Sequence, residues 1–309
     1  MSDRTIEPPL ALRTCMTPPS RPTLVLPRGA CDTHFHIFGP RARFPYAPGR
    51  AATPADAPKE ALFALHALLG IERGVVVHTQ AHGFDNAATA DAVAARPDDY
   101  RGIALLPIDI ADAELGRLDR QGFRGARFHY MQHLGQSTPV RDVIAFGKRL
   151  ADIGWHLQIH MAAELIVELS AAIATSPVPV VIDHMGRIDA SLGLDQPAFQ
   201  HLLRLMDHPH VWVKVSGSDR ATRQGPPYAD AVPFAVKLVA DFGDRVLWGT
   251  DWPHPNHQGP IPDDGALVDL VAAIAPTQSA RQALLVDNPQ RLYGFAPIAG
   301  RTDPSETSL

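Results

Sequence analysis

From residue 30 onward, short apolar runs alternate with stretches in which apolar positions recur every three or four residues. Val75-Val76-Val77, Val180-Val181-Ile182 and Val211-Trp212-Val213 are nearly continuous apolar runs. That is the pattern of parallel strands covered on both faces. Strands are predicted at 30–37, 74–79, 102–107, 125–129, 156–160, 179–183, 211–216 and 246–251. Helical periodicity lies between them. One helix opens near Asp56 and Pro58 and carries Leu62, Leu65, Leu68 and Leu69 before Gly70. A second is capped by Asn86 and runs through Ala95. A third carries Leu115 and Leu118 before Gly122, and a fourth runs from Val140 to a stop at Gly154. Strand–helix alternation argues for parallel β/α units. Eight of them in about 270 residues fit a single-domain (β/α)8 TIM barrel. The competing arrangement, an open doubly wound sheet, usually carries a glycine-rich phosphate turn after its first strand; the sequence has none there. Residues 1–29, with six prolines, read as an extended N-terminal arm, 30–297 as the barrel and 298–309 as a C-terminal tail.

Composition narrows the partners. Of 309 residues 45% are hydrophobic and 20% charged, as in ordinary globular proteins. A net charge of −5 argues against a nucleic-acid partner or an anionic membrane surface. No apolar run approaches the roughly 18 residues of a membrane span. No signal-like apolar core follows the N-terminus, so a cytoplasmic location is expected. The only two cysteines, Cys15 and Cys31, suit a reducing compartment and cannot build a disulfide framework or a cysteine zinc site. A homo-oligomer is left open. The unusual feature is 15 histidines beside 28 Lys plus Arg, because histidine is both metal ligand and near-neutral acid–base group.

Their placement gives this number a meaning. Barrel chemistry sits at the C-terminal ends of the strands. The first strand ends Asp32-Thr-His34-Phe-His36, and residues two apart on a strand face the same side. Taken alone, two histidines at this spacing are weak support for a site. The fifth strand ends at His160, the sixth at Asp183-His184, and the eighth at Asp251-Trp252-Pro253-His254. Each also has an ordinary explanation as a core histidine, a cap or a turn residue. Together they place nitrogen and oxygen donors around one rim, as a catalytic Zn²⁺ or similar ion requires. Such an ion lowers the pKa of bound water or polarises a carbonyl.

The motifs Asp-Thr-His34-Phe-His36, Ile-Asp183-His184-Met-Gly-Arg187, Trp-Gly-Thr-Asp251-Trp-Pro-His254-Pro-Asn and Asn288-Pro-Gln-Arg-Leu-Tyr293 resemble the amidohydrolase superfamily, in the branch of 2-pyrone-4,6-dicarboxylate and 4-sulfomuconolactone hydrolases. The resemblance covers roughly residues 22–295. It implies a (β/α)8 barrel with Asp251 as general base and His184 beside the reacting carbonyl. Arg127 and Arg220 then hold substrate carboxylates. The pyrone hydrolases place a tyrosine on strand 5 and work without metal, whereas this chain has His160, as the metal-dependent relatives do. The expected ligand set is therefore His34, His36, His160 and Asp251 around one divalent ion, Zn²⁺ or Mn²⁺. Gln80 and Ala52 stand where those hydrolases have serine and tyrosine, and His133 replaces a second basic contact.

The leading expectation is a metal-dependent hydrolase that opens a small anionic lactone in aromatic-compound degradation, most like 4-sulfomuconolactone hydrolase. Asp251 and His184 carry the chemistry; Arg127, Arg220, Gln80, His133 and His254 contact substrate. Guanidinium groups suit this task because their planar fork matches carboxylate or sulfonate oxygens. The alternatives are a metal-free 2-pyrone-4,6-dicarboxylate hydrolase, a metal-dependent non-oxidative decarboxylase of the same superfamily, and a barrel that binds a small molecule without turnover. His78, His82 and His129 read as rim or supporting residues. His66, His156, His201, His208, His210 and His257 read as ordinary.

Overall fold

The computed structural model describes residues 13–48, 50, 52–132 and 138–298. Its strands are β1 (Cys31–Phe35), β2 (Arg73–Val77), β3 (Tyr100–Leu105), β4 (Phe123–Tyr130), β5 (His156–Met161), β6 (Val180–Ile182), β7 (Val211–Lys214) and β8 (Val246–Leu247). They pair in parallel in sequence order. The longest register runs from Gly125↔His156 to Tyr130↔Met161. β8 returns to β1 through Thr33 N–H to Trp248 O (2.9 Å) and Asp251 N–H to His34 O (2.7 Å). The fold is a single-domain (β/α)8 barrel. All eight predicted strands are present, and β8 is the one most shortened. Past Leu247 the chain leaves the ladder with β7 and bonds toward β1 instead. Gly249 permits that approach, since a Cβ there would lie 2.6 Å from the His34 nitrogen.

Helices α1 (Lys59–Leu69), α2 (Ala87–Ala95), α3 (Asp112–Arg120), α4 (Val140–Ala151), α5 (Ile166–Ile173), α6 (Pro197–Met206), α7 (Ser218–Ala221), α8 (Val232–Phe242), α9 (Asp264–Ile274), α10 (Gln278–Gln282) and α11 (Asn288–Tyr293) complete the units. Outer helices bury one apolar face, such as Val143, Ile144, Phe146 and Leu150 of α4. Full burial of each such side chain stabilises by roughly 1.5–3 kcal/mol. Gly70 ends α1 in the left-handed region at φ 77°, donating to His66 O. Asn86 does not cap α2 with its side chain. It reaches across to β3, donating to Leu105 O (2.9 Å) and accepting from Leu105 N–H (3.1 Å). That pair of bonds outcompetes a cap and fixes the loop after β2.

The arm beyond residue 12 lies on the barrel. Ser20 N–H donates to Asp263 Oδ1 (2.9 Å), and Thr23 and Leu24 N–H both donate to Asp269 Oδ1 (2.8 Å). The Thr14 hydroxyl donates to Pro253 O, which brings Arg13, Thr14 and Cys15 to the rim of the central cavity. Among the described residues no helix is long and apolar enough to cross a membrane.

Candidate active site

A cavity of about 800 Å³ opens at the C-terminal ends of the strands. His36, Arg127, His160, His184, Arg220 and Asp251 are among the residues that line it. The backbone presents these groups in an unusual way. His184 (φ 51°), Arg187 (φ 57°) and Asp251 (φ 63°) all occupy the left-handed region, which non-glycine residues rarely adopt. Surrounding hydrogen bonds hold the strained turn after β8: Asp251 N–H to His34 O, and His254 N–H to Asp251 O, each 2.7 Å. Beneath them the buried Asp32 carboxylate accepts from His34 N–H (2.9 Å), Thr250 N–H (3.1 Å) and the Thr250 hydroxyl (2.5 Å). β1 and the β8 turn are thereby locked together.

Asp251 is buried, and burial by itself would raise its carboxyl. The Arg220 guanidinium, helped by His184, His36 and His34, outweighs that and holds it well below the usual carboxylate range. Arg220 places Nε and Nη2 each 2.5 Å from Oδ2. Oδ1 therefore faces the imidazoles: His36 Nε2 at 3.2 Å, His34 Nε2 at 3.6 Å and His184 Nε2 at 3.8 Å. Burial pulls the His184 imidazole down to about 4, so this ring is neutral at neutral pH. Its Nδ1 lies 3.0 Å from Ser216 Oγ.

The donor chemistry fits a metal ion at part of this cluster. His36 Nδ1 lies 2.7 Å from Val77 O. A carbonyl only accepts, so Nδ1 carries the proton and Nε2 of the neutral ring is a bare lone pair. That lone pair faces an ionised carboxylate oxygen across 3.2 Å. A second ring proton or a cation between the two atoms satisfies both. His34, His36 and Asp251 are all buried, and their donor atoms lie close enough together to hold one ion; His34, Asp183 and His184 form a second such group. His160 belongs to neither. Its Nδ1 lies 3.4 Å from His129 Nδ1, and its Nε2 is buried without a hydrogen bond.

The expected substrate contacts divide. Arg127 lines the cavity but gives Nε (3.0 Å) and Nη2 (2.9 Å) to Asp183 Oδ2. Arg220 is held by Asp251 and by Pro255 O (3.1 Å). Gln80 lines the cavity from the turn after β2. His254 is fully buried with Nε2 3.1 Å from Asp264 Oδ1, away from the cavity lining. His133 lies outside the described residues.

Residue types with no assigned role in the sequence also gather here. His257, expected to be ordinary, lines the cavity with Nδ1 3.3 Å from Asp219 Oδ2. Arg187 lines it too, half-buried. Burial, then repulsion from Arg220, lowers its guanidinium to about 10. It stays charged at neutral pH and makes no hydrogen bond or ion pair among the described residues. Only its place in the Asp183-His184-Met-Gly-Arg187 motif hinted at this.

Comparison with known proteins agrees with this architecture. The amidohydrolase family profile matches residues 31–295. A 2-pyrone-4,6-dicarboxylate hydrolase of Comamonas testosteroni is 46% identical over 284 residues, covering 89% of this chain and 93% of its own. A 4-sulfomuconolactone hydrolase of Rhizobium radiobacter is 42% identical, covering 88% and 92%. The crystal structure of a putative 2-pyrone-4,6-dicarboxylic acid hydrolase from Pseudomonas putida superposes with a TM-score of 0.74 at 34% identity, over 88% of this chain and all of that one.

Proposed function

The chain belongs to the amidohydrolase family, and from that premise we propose that it hydrolyses a small anionic lactone, with 2-pyrone-4,6-dicarboxylate as the leading substrate. The observation that carries this reading is Asp251. It is an ionised carboxylate, bound by Arg220 on one oxygen and open toward neutral His184 on the other. Relatives of both names support lactone opening. The higher identity, 46% against 42%, favours the pyrone dicarboxylate over the sulfomuconolactone that the His160 substitution suggested.

The residues suit each part of such a reaction. Asp251 Oδ1 takes a proton from water as the water oxygen attacks the lactone carbonyl. His184 Nε2 lies 3.8 Å from the same carboxylate oxygen, within reach of the carbonyl on which charge develops. The C–O bond of the ring then breaks, the leaving oxygen takes up the proton, and one water is consumed. Arg187 offers unpaired donors to a substrate carboxylate, and Arg127 presents a second cation anchored on Asp183. A divalent ion, if bound, is held by His34, His36 and Asp251, with His160 as the further ligand implied by resemblance; it supplies Lewis-acid polarisation and a more acidic water. Turnover of a lactone panel by the wild type and Asp251→Asn tests the reading. Loss of activity by about 10²-fold or more is expected. Activity retained in D251N, or loss of CO₂ from substrate without consumption of water, overturns it.

A further inference from the structure

The described part of the N-terminal arm is built into the barrel. Gly265 stands in the first turn of α9, although glycine is a weak helix former. A Cβ at that position would lie 2.1 Å from Ser20 O, so the missing side chain is what lets the arm pass. Asp263, the N-cap of the same helix, divides its Oδ1 between Gly265 N–H (3.0 Å) and Ser20 N–H (2.9 Å). Further along, Gly29 N–H donates to Glu72 Oε2 at 3.0 Å. Cys15 is buried with the hydrophobic core. Beside it, the Thr14 hydroxyl bonds to Pro253 O, two residues beyond Asp251. The turn that carries the proposed base therefore also holds the arm.

This anchoring delivers Arg13 to the cavity wall. Among the described residues its one hydrogen bond is from Nη1 to Thr17 Oγ1 at 3.1 Å, a neutral acceptor. Three other arginines of the lining are neutralised: Arg127 by Asp183, Arg220 by Asp251 and Arg223 by Asp189. Arg13 and Arg187 have no carboxylate partner among the described residues. Arg187 belongs to the turn after β6, and Arg13 to the arm seated on the turn after β8. Two uncompensated guanidinium groups thus line one cavity from separate segments of the chain. An anion with two acidic groups gives each of them a partner.

We propose that Arg13 is a specificity-determining residue that binds the second anionic group of a dianionic substrate, the first being held by Arg187. The arm is then part of the substrate site as well as of the fold. A monoanion sits on the half-buried Arg187 and gains little from Arg13, which is exposed and screened by salt. The inference deepens the lactone-hydrolase reading and rests on it for its meaning in catalysis. Recognition of a dianion, however, is measurable without turnover.

The test is calorimetric titration of the full chain with benzene-1,3-dicarboxylate and with benzoate. The first is a planar six-membered ring carrying two carboxylates, and neither has an ester to open. The wild type is expected to bind the dicarboxylate more tightly. Arg13→Met is expected to lower the ratio of the two affinities by about 5-fold, the scale of an exposed ion pair, with benzoate affinity unchanged. Arg13→Glu loses the same bond to Thr17 and is expected to lower the ratio further, because it sets like charge against the carboxylate. A merely structural role would not separate the two variants. The proposal is overturned by a wild type that does not prefer the dicarboxylate, by an unchanged ratio in R13M, or by equal ratios in R13M and R13E. Lactone turnover is scored separately. A wild type without turnover but with the expected ratios refutes the function and leaves the Arg13 assignment standing; turnover with an unchanged ratio in R13M does the reverse.

Discussion

Arg220 grips Asp251 from one side, with Nε and Nη2 both 2.5 Å from Oδ2, and leaves Oδ1 to the imidazole cluster. The arginine sets the charge of the base and aims its free oxygen. Burial opposes ionisation of Asp251, and the guanidinium reverses that balance. A base held this low stays ionised well into acid. Arg220→Met is therefore expected to move the acid limb of the kcat/KM profile upward toward neutral pH and to lower the plateau. An unchanged acid limb in R220M contradicts the assignment. Linkage has a definite sign here. The folded carboxyl lies below its unfolded value, so its contribution to stability is present above the ordinary carboxylate range and lost as pH falls through the folded value.

Arg187 is expected to act on binding more than on chemistry. It lines the cavity with its donors unpaired among the described residues. A hydrogen bond to a charged group contributes about 1.5–3 kcal/mol. Arg187→Met should raise KM for a dicarboxylate lactone by about 10- to 100-fold with a much smaller change in kcat. Steady-state kinetics on mono- and dicarboxylate lactones check this. An equal loss on both, or a loss confined to kcat, would count against it.

His254 and Asp264 form a buried pair 3.1 Å apart, behind the cavity wall. Burial alone would lower the imidazole; the Asp264 carboxylate outweighs it and raises the His254 value. A raised folded value gives stability that is full below the unfolded histidine value and is lost as pH rises through the folded one. Asp264→Asn leaves one member of the pair unmatched. It should cost about 3 kcal/mol or more, or about 6 °C or more in Tm. Thermal melts of the wild type between pH 6 and 8 should show a decline that D264N lacks. A Tm within 2 °C of wild type contradicts this, by the same scaling.

The barrel was legible because strands buried on both faces write continuous apolar runs, and each lay within a few residues of its predicted place. The rim histidines were legible because strand ends are where a barrel collects them. Side-chain direction was not. His184, Arg187, Asp251 and His254 have left-handed backbones, so the two-residue alternation that placed His34 and His36 stops working there. His254 consequently turns into the wall, toward Asp264. The pairings of Arg127 with Asp183 and Arg220 with Asp251 span 56 and 31 residues, and no local pattern announces them. Lys214 sits within Val211-Trp-Val-Lys-Val and looks like a strand-end polar residue. Only the closed barrel shows that its buried ammonium points inward, donating to Thr33 O of β1 and Gln158 Oε1 of β5.

The central claim is that water opens a lactone ring with Asp251 as base. It is tested most directly by mass analysis of the product formed from 2-pyrone-4,6-dicarboxylate in H₂¹⁸O. Expected is a ring-opened product heavier than substrate by one water, with a single ¹⁸O in the new carboxylate, formed about 10²-fold or more slowly by D251N. A product lighter by CO₂ would contradict it, as would an intact ring or equal product from D251N.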